Sequence, residues 1–191
     1  MEKINAVITG IGGYVPSYIL NNEELSRMVD TNDEWITTRV GIKERRILTE
    51  EGLGSGYLAR KAAKQLVRKT GVDVNTIDCV IVATTTPDYR FPSDASIVIG
   101  KLGMKNAHGF DVSCACCGFL YTVDMASAFI QSGRYKKVMV IAAEKMSSMV
   151  DYQDRQTCVL FGDGAAAVLM EASTEEGVGF QDSFLRTDGQ G

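Results

Sequence analysis

The chain has 191 residues, with 20 lysines and arginines against 24 aspartates and glutamates, and a formal net charge of −4 at pH 7. This charge gives no general reason to bind nucleic acid or an anionic membrane surface. With 45% hydrophobic and 23% charged residues, 19 glycines and 3 prolines, the composition excludes a disordered, collagen-like or coiled-coil protein.

The sequence also lacks the marks of export. No apolar run approaches the roughly 18 residues of a membrane span, and Met1–Asn5 lacks a basic region followed by an apolar stretch. Three of the 5 cysteines, Cys114, Cys116 and Cys117, lie too close together for a disulfide framework. We therefore expect a cytoplasmic protein with reduced thiols.

The first part of the chain predicts a strand, two short helices and a long helix, in that order. The apolar run from Ile4 to Ile11, closed by Gly12-Gly13, predicts a central strand buried on both faces. Asn21 and Asn32, each followed by carboxylates, predict the starts of two short helices. Apolar spacing between Leu58 and Val67 predicts the first long helix.

Strands and helices alternate after residue 79. The apolar runs Val80–Thr84 and Val138–Ala143 predict two more strands buried on both faces. Helices are predicted at Ile97–Leu102 and at 119–130, where Phe, Val, Ala and Ile recur at spacings of 4, 3 and 4. This alternation favours the α/β class.

The last part of the chain predicts a hairpin. A strand is expected in Phe161–Glu171, after the turn formed by Gly162-Asp163-Gly164, and a second short strand in Gly179–Leu185. The sequence shows no internal repeat or low-complexity linker, so a single domain is expected.

The cysteine cluster is the segment with the clearest chemical potential. Residues 109–119 run from a short strand through small residues into the helix predicted at 119–130. A thiol at that helix start lies beside unpaired N–H groups, which stabilise a thiolate and can bind an oxyanion, as acyl transfer to sulfur requires. The alternative is that the three cysteines are small residues packing a helix against a sheet.

Two other kinds of site are disfavoured. The cysteines lack a second Cys or His pair at zinc spacing, and the only histidine, His108, is assigned no role. The glycines of Gly10-x-Gly12-Gly13 suggest a dinucleotide site, but Val15 occupies the place of the last glycine in that motif.

Several segments together resemble one enzyme family. The stretch Asp111-Val-Ser-Cys-Ala-Cys116-Cys-Gly-Phe-Leu-Tyr121 resembles the active-site segment of β-ketoacyl-acyl carrier protein synthase III, which starts type II fatty acid synthesis. Other segments resemble the same family in the same order, so that the resemblance covers essentially the whole chain: 8–16, 31–42, 83–87, 91–93 and 161–166.

The resemblance implies a role for individual residues. It places the acyl-accepting thiol on Cys116, whereas Cys114 and Cys117 stand where the family usually has Ala or Ser. It implies that Trp35 and Arg155 stack on the two faces of the coenzyme A adenine. Guanidinium and indole faces are suited to such stacking.

Further residues complete the implied substrate site. Thr31 is expected to hydrogen-bond the adenine and Arg39 to contact the phosphates. When the family resemblance is set aside, the residues alone favour other roles. Trp35 is then expected to fasten the short helices to the sheet, and Arg155 to form an ion pair with a neighbouring aspartate, Asp151 or Asp154.

The resemblance also implies an acyl pocket. Its expected wall positions are Thr85, Met146 and Phe161, together with Phe91, which is expected to cross a dimer interface and close the partner's pocket. Without the family, Phe91 reads as an ordinary loop aromatic before a proline. The turn Gly162-Asp163-Gly164 is expected to support the site rather than react.

The family's fold implies what the chain contains. The fold is thiolase-like, with five αβαβα layers built from two similar halves, and residues 1–191 are expected to be the N-terminal half, one αβα unit without the C-terminal half. A His and an Asn of the second half are expected to serve decarboxylation. Without that half, the apolar face of the helix from Cys117 to about Ser132 is expected to be exposed.

The implied reaction has two stages and no cofactor, because the coenzyme A thioester is a substrate. An acyl group passes from acyl-CoA to Cys116 and is then condensed with malonyl-acyl carrier protein, with loss of carbon dioxide, in a homodimer. Two alternatives stay open: another coenzyme A condensing enzyme of the same fold, of hydroxymethylglutaryl-CoA or polyketide type, or a catalytically silent half-enzyme that acts as a binding module.

Overall fold

The computed structural model describes residues 3–190. Seven strands are present: β1 (Asn5–Tyr14), β2 (Tyr18–Asn21), β3 (Glu44–Ile47), β4 (Cys79–Ala83), β5 (His108–Val112), β6 (Lys137–Lys145) and β7 (Asp163–Ser173). The five α-helices are α1 (Asn22–Leu25), α2 (Asp33–Val40), α3 (Ser55–Thr70), α4 (Asp94–Leu102) and α5 (Gly118–Gln131).

Five of the strands form one mixed sheet in the order β1-β7-β6-β4-β5, and β2 pairs with β3 in a separate hairpin. Strand β4 runs parallel to both β5 and β6, while β7 is antiparallel to β6 and to β1. All five residues of β4 are buried, as is the middle of β6. The two central strands predicted at 80–84 and 138–143 are therefore confirmed.

Strand β1 differs from its prediction. It lies at the edge of the sheet, paired only with β7, and Ile8 and Ile11 are 46% and 62% exposed. The expectation of a strand buried on both faces was wrong, because an apolar run without alternation does not distinguish an edge position from a central one. The strand also continues through Gly12-Gly13 to Tyr14, and α3 packs on it so closely that a Cβ at Gly12 would collide with the backbone of the helix.

Helices cover both faces of the sheet. On one face α3 and α4 bury Leu66 and Val98 against Val80 and Met139, and on the other α5 buries Val123, Ala126 and Ile130. This αβα arrangement confirms the α/β class. No helix of residues 3–190 combines the length and the apolar character that crossing a bilayer requires.

Helix capping follows the sequence. The side chains of Asn21 and Asn32 accept hydrogen bonds from backbone N–H groups in the first turns of α1 and α2, as predicted, and Ser93 does the same for α4. The helix predicted at 58–67 extends further in both directions, to Ser55 and Thr70.

The hairpin of β2 and β3 and the short helices α1 and α2 share a separate hydrophobic cluster beside the five-stranded sheet, called here the hairpin cluster. Its core contains Leu20, Leu25 and Ile36, and Arg45 of β3 is only 4% exposed. Arg45 donates to the carbonyl oxygen of Val159 at 2.6 and 2.9 Å and to the side-chain oxygen of Asn22 at 2.8 Å. These bonds join α1 to the segment before β7.

The chain end corrects two expectations. Residues 178–190 form no strand, so the predicted hairpin with Gly179–Leu185 was wrong; β7 pairs with β6 and β1 instead, and a single backbone bond joins Phe180 to Ala6. The apolar face of α5 is not exposed either, because it packs on the sheet. Its outer side carries exposed Leu120, and the terminal segment crosses α5 through contacts with Tyr121 and Asp124.

We expect the α3–β1 contact to respond differently to two neighbouring substitutions. A Cβ at Gly12 would lie 2.4 Å from the carbonyl oxygen of Ala62 and 2.6 Å from the nitrogen of Leu66, whereas a Cβ at Gly13 would meet only a carbonyl oxygen at 3.6 Å. Gly12→Ala should lower the free energy of unfolding by about 1 to 3 kcal/mol. Gly13→Ala should change it by less than about 0.5 kcal/mol. Urea unfolding of both variants measures the difference, and equal midpoints would contradict this packing.

Candidate active site

The candidate site lies at the edge of the sheet that is formed by the carboxyl ends of its parallel strands, not at an outer strand. Because β4, β5 and β6 are parallel, the segments that follow them begin at the same edge. These segments carry Thr85, Cys116 and Met146, and β7 begins at this edge because Asp163 pairs with Lys145. The edge therefore gathers residues that are distant in sequence, including Phe161 just before β7.

Cys116 lies between β5 and α5. A 3-10 turn, Ala115–Cys117, leads directly into the helix, and the N–H of Cys117 donates to the carbonyl oxygen of Cys114 at 3.2 Å. Cys116 and Cys117 are exposed, and Cys114 is half-buried. The alternative of three buried packing residues does not match this exposure.

The backbone at this junction is strained. Ala115 has a φ of 47°, and no other non-glycine residue among residues 3–190 has a positive φ. Such a conformation costs an L-residue about 1 to 3 kcal/mol and is found at functional sites. Gly118 lets the start of α5 approach β4, since a Cβ there would lie 3.0 Å from that of Ala83. Cys116 is thus held at a strained, tightly packed strand-to-helix junction.

Glu144, at the end of β6, was not singled out from the sequence. Its carboxylate accepts hydrogen bonds from the backbone N–H of Thr85 at 2.8 Å and its hydroxyl at 3.1 Å, and from the Thr86 hydroxyl at 2.6 Å. The hydroxyl of Thr84 is a further, longer donor at 3.4 Å. Glu144 therefore fixes the segment after β4, on which the expected pocket residue Thr85 lies.

Asp111 was used only as a sequence landmark, but the structure gives it a contact. Its carboxylate accepts from the backbone N–H groups of Asp94 and Ala95 at 2.7 and 2.9 Å, at the start of α4. A carboxylate is favoured there by the helix dipole. Asp111 thereby joins the strand that precedes Cys116 to the end of the loop that carries Phe91.

Asp94 is itself a fully buried carboxyl group. It is 2.5 Å from the hydroxyl of Ser55, which also lies 2.6 Å from the carbonyl oxygen of Thr86. Burial raises the pKa of Asp94 to about 6; the Ser55 hydrogen bond opposes this shift and the charge of Asp88 adds to it. A protonated Asp94 can donate its proton to the Ser55 hydroxyl, which in turn donates to the Thr86 carbonyl. In the neutral form of Asp94, all three of these groups therefore have a hydrogen-bond partner.

The expected coenzyme A residues come together around Trp35. The guanidinium carbons of Arg39 and Arg155 lie 4.3 and 4.9 Å from the centroid of the Trp35 ring. The hydroxyl of Thr31 is buried and has no hydrogen-bond partner among residues 3–190. The structure thus brings Arg39 and Arg155 to Trp35, and Thr31 lies on the loop just before α2.

The contacts of Arg155 differ from both sequence interpretations. Its guanidinium donates to the backbone carbonyl of Asp30 at 3.1 Å and lies 3.8 Å from the carboxylate of the same residue, rather than pairing with Asp151 or Asp154. A purine between Trp35 and Arg155 needs about 7 Å, two van der Waals contact distances. Adenine can therefore enter between them only if Arg155 moves outward. Trp35 is half-buried against the hairpin cluster, which lies beside the five-stranded sheet.

The remaining expected positions are spread along the edge. Phe91 is 89% exposed, and Met146 and Phe161 are half-buried. Asp163 accepts from the backbone N–H groups of Leu48 and Ser147, both at 2.8 Å. The turn predicted at Gly162-Asp163-Gly164 was wrong, because Asp163 and Gly164 already pair with β6 as the first residues of β7.

His108 lies far from Cys116. It begins β5, whereas Cys116 follows the end of that strand, and its ring contacts the Asp78 carbonyl and the Tyr135 hydroxyl. Within residues 3–190, no three His, Cys, Asp or Glu side chains are grouped so as to hold a metal ion.

Comparisons with known proteins agree on one family. A profile described as 3-Oxoacyl-[acyl-carrier-protein (ACP)] synthase III matches residues 110–189. The chain is 69% identical over all its 191 residues to beta-ketoacyl-[acyl-carrier-protein] synthase III 2 of Bacteroides thetaiotaomicron and 68% identical to beta-ketoacyl-[acyl-carrier-protein] synthase III of Phocaeicola vulgatus. It spans 57% of the length of each of these relatives.

A solved structure shares the fold. The crystal structure of 3-oxoacyl-[acyl-carrier-protein] synthase III from Aquifex aeolicus superposes with a TM-score of 0.86 at 50% sequence identity. The superposition covers 90% of this chain and 55% of that one.

Asp94 gives the stability of this edge a testable pH dependence. Because its folded pKa exceeds the value of about 3.9 expected when unfolded, the neutral form stabilises the fold below about pH 4. That stability is lost as the pH rises through about 6. We expect Asp94→Asn, which cannot ionise, to gain up to about 3 kcal/mol relative to the parent protein between about pH 4 and 7. Urea unfolding across this range measures the gain, and parallel stability profiles would contradict it.

Proposed function

We propose that the chain belongs to the 3-oxoacyl-[acyl-carrier-protein] synthase III family, to which its comparisons point, and that it carries the acyl-accepting half-reaction of an initiating condensation, with Cys116 as the nucleophile. The Cys116 thiolate attacks the thioester carbonyl of acyl-CoA, the C–S bond to coenzyme A breaks, and coenzyme A leaves as its thiolate. The observation that carries the proposal is the exposed Cys116 at the strained junction between β5 and α5.

The surroundings of Cys116 support this step. The positive end of α5 begins two residues after the thiol and favours both the thiolate and the oxyanion of the tetrahedral intermediate. The step needs only the thiol and the thioester, so we propose no cofactor. Thr85, held by Glu144, is proposed to form part of the acyl pocket with Met146 and Phe161.

We propose that coenzyme A binds at the cluster around Trp35. Adenine stacks on the indole of Trp35 once Arg155 moves away from that ring. The hydroxyl of Thr31 hydrogen-bonds the adenine, and Arg39 contacts the phosphates. The Thr31 hydroxyl is buried and has no hydrogen-bond partner within the described residues 3–190, which supports a ligand at this position because buried hydroxyl groups are normally hydrogen-bonded.

The second stage is proposed to condense the acyl group with malonyl-acyl carrier protein. Loss of carbon dioxide gives a carbanion that attacks the acyl-cysteine, and the Cys116 thiolate leaves as the new carbon–carbon bond forms. The His and Asn proposed for this stage are expected outside these 191 residues. The place of His108, at the opposite end of β5 from Cys116, supports that assignment.

The proposed assembly is a cytoplasmic homodimer. Five free cysteines suit a reducing compartment. Phe91 is 89% exposed on its loop, and β5 is an edge strand, so both can meet a second copy. In that dimer Phe91 closes the acyl pocket of the partner.

Cys116 is expected to be the only cysteine that the acyl transfer requires. Mixing the protein with acetyl-CoA should release one equivalent of coenzyme A in a burst, read with a thiol reagent after rapid separation. Cys116→Ala should abolish the burst, because no other group takes its place, with a rate loss of several orders of magnitude.

Two neighbours provide matched controls for this experiment. Cys114→Ala and Cys117→Ala remove thiols from the same turn and should retain the burst. A burst that survives in Cys116→Ala, or is lost only in a control, would contradict the assignment. Absence of a burst from the parent protein would favour the silent binding module.

The Trp35 cluster makes a separate prediction about coenzyme A binding. Arg155→Ala should weaken the affinity about tenfold, the scale of a desolvated cation–π contact, measured by quenching of Trp35, the only tryptophan. Arg134→Ala removes a guanidinium that lies 5.4 Å from the ring of Tyr135, away from the cluster, and should leave the affinity unchanged. Equal affinities for coenzyme A of the parent protein, Arg155→Ala and Arg134→Ala would exclude Arg155 from the site.

A further inference from the structure

Helix α3 carries an unusual excess of positive charge. Its sixteen residues contain Arg60, Lys61, Lys64, Arg68 and Lys69 and no aspartate or glutamate. The whole chain has more acidic than basic residues. We propose that the outer face of α3 is a docking surface for an acidic helix of another protein.

The charges lie on the side of α3 that faces away from the sheet. The inward side packs Leu58, Ala62 and Leu66 and is fully buried. Lys64, Arg68 and Lys69 are exposed, and Arg60 and Lys61 are half-exposed. Residues 60, 64 and 68 recur every four positions, so they form a ridge with a step of about 6 Å along the helix.

The positive charge of this ridge is not neutralised within the described chain. Five ion pairs are present among residues 3–190, and none includes a residue of α3. Five cations on one helix repel one another, and a partner that brings carboxylates relieves that repulsion.

The ridge is flanked by shallow clefts that contain tyrosines. One cleft, of about 320 Å³, is lined by Tyr14, Lys61, Lys64 and Arg68. The other, of about 480 Å³, is lined by Tyr57, Arg60, Tyr89 and Lys101 on the side of α4.

Aromatic contacts hold part of this surface in place. The rings of Tyr14 and Tyr57 meet edge to face at 5.9 Å, and the ammonium of Lys61 lies 5.0 Å from the centroid of Tyr14. Tyrosine and arginine are enriched in the cores of protein interfaces. The surface therefore combines charge with the residue types of a protein contact.

The same features favour an acidic helix over other anions. A net charge of −4 disfavours a long nucleic acid, which would contact other, negative parts of the surface. The outer side of α3 offers no large exposed apolar side chain for insertion into a lipid surface. A helix with carboxylates every four residues repeats the same step of about 6 Å and can lie along the ridge.

The proposal does not depend on the acyl chemistry, because α3 lies on the opposite face of the sheet from α5. Its test uses a fluorescently labelled helical peptide with glutamates at every fourth position and a matched peptide with glutamines there. Fluorescence anisotropy should detect binding of the acidic peptide only, and the affinity should fall as salt is raised from about 50 to about 500 mM.

Variants locate the binding surface. Lys64→Glu with Arg68→Glu should weaken peptide binding about tenfold or more, and Lys64→Gln with Arg68→Gln should weaken it less. Lys105→Glu with Lys136→Glu changes the net charge equally at exposed sites outside α3 and should leave binding unchanged. Equal binding by the reversed and control variants, or binding of both peptides alike, would overturn the proposal. Tighter binding of a single-stranded oligonucleotide or of anionic vesicles through the same residues would also overturn it.

Discussion

The complete burial of β4 between two parallel neighbours is the constraint on which the rest of the structure depends. All five of its residues are buried, with α3 and α4 packed on one face of the sheet and α5 on the other. Parallel pairing sends the chain away from the sheet at one edge after each of β4, β5 and β6. The segments that carry the expected pocket residue Thr85 and the thiol of Cys116 begin at the same edge of the sheet for this reason, although more than thirty positions separate the two residues in sequence.

Much of this arrangement could be predicted from local sequence patterns. Apolar runs located β4 and β6, and Asn21 and Asn32 marked the starts of α1 and α2, because burial and capping depend on residues close together in the chain. The strand-to-helix junction at Cys116 was visible for the same reason. The role of Cys116 itself came from the family resemblance, because spacing alone left a packing role open.

Contacts between distant segments could not be predicted. Glu144 meets Thr85 from 59 positions away, and Arg155 meets Asp30 from 125 positions away. The edge position of β1 and the missing hairpin at the chain end have the same origin, since both depend on which strand pairs with β7. The buried carboxyl of Asp94 looks in the sequence like a helix-start residue, and only tertiary packing removes it from water.

The central claim is that this edge of the sheet presents Cys116 to an acyl group. The most direct measurement is a crystal structure of the protein after exposure to acetyl-CoA. The account predicts additional electron density continuous with Sγ of Cys116, directed toward Thr85. Density on Cys114 or Cys117 instead, or an unmodified Cys116 with intact acetyl-CoA bound elsewhere, would contradict it.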